Sequence, residues 1–229
     1  MKSLYILLNI GSFIVPFLFS FHPKLKFYKH WKYLFPSILI TMLVFIPWDV
    51  VFTINGYWGF NTDYYLEYTL FSLPIEEWLF FICIPYACIF THYSLQYLLP
   101  NFRLSPKTTK TISYILLLIF TLGAIIFYDK WYTVIDLGYG AILLFIVLKI
   151  SPKILESYYL TFLVMLIPFF IVNGVLTGSW IESPVVWYNN AENLGIRMGT
   201  IPVEDSVYAF TMILSSLFLM QLFSKRKSQ

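Results

Sequence analysis

Seven apolar runs, at about 3–21, 33–53, 75–95, 111–128, 133–150, 157–176 and 203–223, leave this chain few ways to fold. Each is near the ~20 residues that an α-helix needs to cross the hydrocarbon core of a bilayer. The apolar residues, 59% of 229, come in blocks rather than at amphipathic spacing, and only 12% are charged. Such a pattern predicts an all-α integral membrane protein of about seven transmembrane helices. The stretch Phe19-Ser20-Phe21-His22-Pro23-Lys24 makes a poor cleavage site, so the first run is expected to be retained as a helix.

Charge predicts the orientation, because short loops rich in Lys and Arg stay on the cytoplasmic side. Lys24, Lys26, Lys29 and Lys32 fall in the first loop, Arg103, Lys107 and Lys110 in the third, Lys149 and Lys153 in the fifth, and Lys225, Arg226 and Lys227 in the tail. Of the acids, only Glu156 lies on that side. The N-terminus is therefore expected outside and the C-terminus in the cytoplasm. The basic loops are read as orientation signals and lipid-headgroup contacts, with no nucleic-acid partner. Cys83 and Cys88 are five residues apart within one run and read as packing residues, and no metal-ligand spacing or nucleotide-binding glycine motif occurs.

Within this frame one motif occurs twice. Pro74-Ile75-Glu76-Glu77 opens the third run and Pro202-Val203-Glu204-Asp205 the last, 128 residues later. Proline suits the first helical position and acids suit the first turn, so each stretch also reads as an ordinary helix start. Upstream, Phe60-Asn61 matches Tyr188-Asn189, with 13 residues from Asn to Pro in both copies. Further upstream the shift becomes 124, pairing Asp49 with Asn173 and Thr53 with Thr177. The order predicts two parallel three-helix repeats joined by a linking helix, with units at 1–98, 99–130 and 131–229.

Carboxyls at membrane depth are costly and mark function. In the last run Glu204, Tyr208, Thr211 and Ser215 follow helical spacing on one face, and the equivalents in the third run are Glu76, Phe80, Cys83 and Ala87. On this reading Glu76 and Glu204 face each other across the repeat axis as the principal catalytic pair. Glu77 and Asp205 point about 100° away. Asp49 and Asn173 are expected to share a hydrogen-bonding role nearby, Asn61 and Asn189 to support or close turns, and Arg197 to pair with a carboxylate or form a rim salt bridge.

The two acidic motifs, with the Asn61 and Asn189 loops before them, resemble the flavin-independent lycopene cyclases. Those occur as small-subunit pairs, as fused single chains and as a domain of fungal bifunctional carotenoid enzymes. The resemblance covers nearly the whole chain. It implies cofactor-free cyclisation of the linear end groups of lycopene to β-rings. An acid would protonate C2, the C5=C6 bond would capture the C1 cation, and a base would remove the C6 proton. It also implies a linear carotene and the lipid bilayer as partners, and leaves a homo-oligomer or association with other carotenoid enzymes open. Two carboxyls in an apolar site can share one proton, which fits that chemistry independently.

Intramembrane carboxyls in repeated helices also suit a proton-coupled transporter, which stands as the alternative. The last run has no lysine before its basic end, which argues against a retinal Schiff base. Asp63 and Glu67 would suit a diphosphate, but Ala191 and Gly195 stand at the matching places.

Overall fold

A computed structural model describes residues 2–226; Lys227, in the basic tail, lies outside them. Its helices are α1 (Leu4–Phe19), α2 (Trp31–Ile54, entered through a 3-10 turn at Phe27–His30), α3 (Ile75–Leu98), α4 (Pro106–Ile126), α5 (Trp131–Ile150), α6 (Lys153–Leu176) and α7 (Val203–Arg226). Six are long and apolar enough to cross a membrane. The remaining helix, α1, has 16 residues. At 1.5 Å per residue it spans roughly 24 Å against a core of about 30 Å, a shortfall that local thinning of the bilayer can absorb.

The long loops contain strands that the sequence pattern did not indicate. β1 (Trp58–Phe60) pairs antiparallel with β4 (Val186–Tyr188), β2 (Thr69–Leu70) with β3 (Leu73–Pro74), and β5 (Arg197–Met198) with β6 (Ile201–Pro202). Each proline therefore ends a strand instead of starting a helix, correcting the expected first-turn position. Pro74 is extended at φ −55° and ψ 147°, a conformation its fixed φ permits as readily as a helix. The next residue then ties helix to hairpin, Ile75 N donating to Tyr68 O (2.9 Å) and Val203 N to Ile196 O (3.1 Å).

The β1–β4 pair joins the repeats. Trp58 pairs with Tyr188, Gly59 with Trp187 and Phe60 with Val186. With a 128-residue shift, Gly59 faces its own repeat equivalent, so a pseudo-twofold axis passes through that pair. Hydrogen bonds repeat across it: Asn61 N donates to Val185 O and Asn189 N to Tyr57 O, while Tyr5 N donates to Tyr64 O and Tyr132 N to Glu192 O.

Beneath the strands, α2, α3 and α7 form the centre of the bundle, with α1 against α3, α5 against α7, and α4 against α5. The symmetry is imperfect. α2 packs closely along α7, where Ser216 Oγ donates to Thr41 Oγ1 at 2.9 Å, one of the polar links that join membrane helices. The equivalent seam between α6 and α3 is looser, and Met165 and Cys88 stand at the places of Thr41 and Ser216.

Candidate active site

A cavity of about 450 Å³ occupies that looser side, within the range of about 300–1,000 Å³ typical of small-molecule sites. Its walls come mainly from α1, α3, α6 and α7, and three carboxyls line it: Asp49, Glu77 and Asp205. Asn173, Tyr5, Trp58, Tyr132, Tyr188 and Tyr208 line the same space.

Here the expected geometry is corrected. Glu76 and Glu204 are buried, yet neither lines the cavity, so they do not face each other across a shared site. Each instead holds its own preceding loop, Leu66 N donating to Glu76 Oε1 and Leu194 N to Glu204 Oε1, both at 2.8 Å. Thr133 Oγ1 also donates to Glu204 Oε1 (2.7 Å). Those bonds set the rotation of each helix start. The next residue, about 100° further round, then enters the cavity.

The two cavity acids have matched but unequal surroundings. Tyr5 OH donates to Glu77 Oε2, and at the equivalent place Tyr132 OH donates to Asp205 Oδ1 (2.6 Å). Asp205 Oδ2 accepts from Tyr188 OH (2.9 Å) and more distantly from Asn173 Nδ2 (3.4 Å). Glu77 has neither counterpart, because the equivalent of Tyr188 is Phe60 and that of Asn173 is Asp49. Asp49 Oδ1 accepts from Trp58 Nε1 (2.7 Å), while its other carboxyl oxygen is buried without a hydrogen bond among the described residues. Burial first, then the neighbouring Asp205, holds the Tyr188 phenol well above its usual pKa, so it remains an O–H donor.

Aromatic rings surround the acids: Tyr132 and Tyr188 stack at 6.0 Å, and Trp58 meets Tyr132 edge-on at 5.0 Å. Tyr208 packs on Phe45 and Trp48 at 5.1 and 5.2 Å. Ring faces can stabilise a passing carbocation. On the equivalent side of the axis the space is occupied. Trp48 stands where the cavity has Val172, and Tyr139 where it has Ser12.

Asn61 and Asn189 lie in the loops, where their side chains accept from Asp63 N and Ala191 N, respectively, at 3.0 Å in matching turns. Among the described residues Arg197 forms no salt bridge with a carboxylate. It donates to Thr200 O (3.2 Å) and Asn190 Oδ1 (2.6 Å) and lies over the Tyr188 ring at 5.3 Å. The Thr211–Ser215 stripe serves packing, with Ser215 bonded to Tyr139 OH at 2.8 Å.

Sequence reasoning did not single out Tyr5 and Tyr132. The signal was present, for Tyr5-x-x-x-Asn9 recurs as Tyr132-x-x-x-Asp136 at a shift of 127. In the sequence Tyr188 is only a repeat marker, and its bond to Asp205 has no signal in the spacing.

The lycopene cyclase family model matches residues 2–95 and 129–223. The chain belongs to the lycopene cyclase family. The two matched segments contain the two repeats and leave out α4. No curated protein and no solved structure matches the chain. Membership supports carotenoid cyclisation in general and gives nothing to the transporter alternative.

Proposed function

We propose that this lycopene cyclase family member closes the linear end groups of lycopene into β-rings, giving γ-carotene and then β-carotene, with no net redox change. The observation that carries the reading is one apolar cavity whose two repeat-related acids differ in hydrogen bonding. Asp205 accepts from two phenols and an amide, surroundings that suit an ionised carboxylate and hence the base. Glu77, with the single phenol donor Tyr5 among the described residues, suits a neutral carboxyl and hence the acid.

In this mechanism Glu77 gives its proton to C2 of the end group. The cation at C1 is captured by the C5=C6 π electrons, forming the C1–C6 bond. Asp205 removes the C6 proton, and the C–H electrons form the ring double bond. One proton enters and one leaves, so Asp205 must return its proton to Glu77 between turnovers. Asp49 holds the Trp58 indole against the site.

Expression in lycopene-accumulating cells tests the reading, with pigments analysed for monocyclic and bicyclic β-ring carotenes. Unchanged lycopene beside well-inserted protein, together with proton flux in vesicles, would sink it in favour of the transporter.

A further inference from the structure

Because the reacting groups sit under the strand ribbon, the way in is the first question. Trp58, Phe60, Val186 and Tyr188 of β1 and β4 line the cavity from the strand side and cap the acids there. The cavity then runs along α3 from Glu77 to Thr91, fourteen residues or roughly 21 Å at 1.5 Å per residue. All three lining carboxyls are at the strand end, and the far end is lined by groups such as Pro16, Cys88 and Phe162.

One side wall is incomplete. Leu7, Gly11 and Val15 are four residues apart on α1, and all three both line the cavity and are exposed on the bundle surface. Pro168 does the same on α6. Residues that share both surfaces mark an opening, and α1 and α6 touch only sparsely. The gap stands open at Gly11, where a Cβ would meet nothing within 4 Å. The lips are apolar and belong to apolar helices, so what faces them in a membrane is hydrocarbon.

We infer that the α1–α6 seam is a lateral slot through which a linear polyene enters from the lipid, its length along the seam and one end group at the carboxyls. Only that end can react in a visit. The equivalent place across the axis is filled by Trp48 and Tyr139, so the second end must leave, turn and re-enter. The inference rests on the cyclase reading and adds the route and the order of events.

A graded series at Gly11 tests it, reading the initial rate of lycopene loss per inserted protein. Gly11→Leu should be slower than wild type, and Gly11→Trp should lose at least about tenfold, which corresponds to ~1.4 kcal/mol on the barrier. Gly138→Trp is the control: the equivalent glycine on α5 also has open space around its Cβ position but does not line the cavity. It should keep close to the wild-type rate. Monocyclic carotene should appear free in the membrane before bicyclic product. If wild type leaves lycopene unchanged, the cyclase reading fails and the slot with it. If wild type cyclises but Gly11→Trp does so equally well, or Gly138→Trp loses as much, the slot alone is overturned. Should Gly11→Trp insert poorly, a wild-type rate in Gly11→Leu overturns it just as well.

Discussion

Gly59 lies opposite Trp187 at the pseudo-twofold axis, and the indole covers the face where a side chain on Gly59 would stand. A Cβ there would clash with the six-membered ring of that indole. Gly59→Ala should therefore push the indole away and loosen the ribbon that caps the site. The expected cost is about 1–3 kcal/mol, in the range of overpacking in a close contact. A double-mutant cycle on thermal unfolding in detergent checks it, since Trp187→Ala should recover much of the loss. Purely additive effects would show that the two residues do not conflict.

Adjacent acids should behave differently. Glu77→Gln and Asp205→Asn remove the proposed proton-transfer groups and should each lower the cyclisation rate by about 10²–10⁴-fold with insertion intact. Glu76→Gln and Glu204→Gln keep an oxygen that can accept from Leu66 N or Leu194 N, so their losses should be smaller. Rates per inserted protein decide between the pairs. Equal loss at all four positions would contradict the assignment.

Tyr188→Phe makes the second repeat resemble the first, where Phe60 stands. It removes a donor to Asp205, and a hydrogen bond to a charged group is worth about 1.5–3 kcal/mol, so the rate should fall roughly 10- to 100-fold. A wild-type rate in this variant would mean that Asp205 does not depend on its donors to act as a base.

Asp136 is buried on α5 with neither carboxyl oxygen hydrogen-bonded among the described residues. Its repeat equivalent, Asn9, donates through Nδ2 to Glu76 O at 2.8 Å. Asp136→Asn supplies the same amide and removes an acid from a buried place. Stability should be unchanged or higher, by up to about 1–3 kcal/mol of relieved desolvation cost, seen as an equal or raised melting temperature with activity retained. A large loss of activity would give Asp136 a chemical role.

Twelve of the fifteen basic residues fall in the stretches of sequence expected on the cytoplasmic side. Cysteine labelling should place the loops at 54–73 and 177–200 outside and Arg103's loop inside. Labelling of the Arg103 loop from outside would reverse the orientation.

The helices, the duplication and the acidic motifs were legible in the chain itself. Apolar runs of membrane length have few alternatives to helices, and a repeat leaves matching residues at a constant shift. The identity of the cavity acids was not legible in this way, because neighbouring positions on a helix start differ by about 100° and either can turn inward. Tertiary structure decided it: the backbone N–H groups of Leu66 and Leu194 take the first acid of each pair, which turns Glu77 and Asp205 to the cavity. It also decided that this side stands open while its counterpart is filled. Close packing of α2 on α7 places Trp48 and Tyr139 in contact on one side of the axis, whereas Val172 and Ser12 leave room on the other. Spacing along a chain records which residues correspond. How closely two helices approach depends on the side chains between them, and in a close-packed interior that determines where space remains.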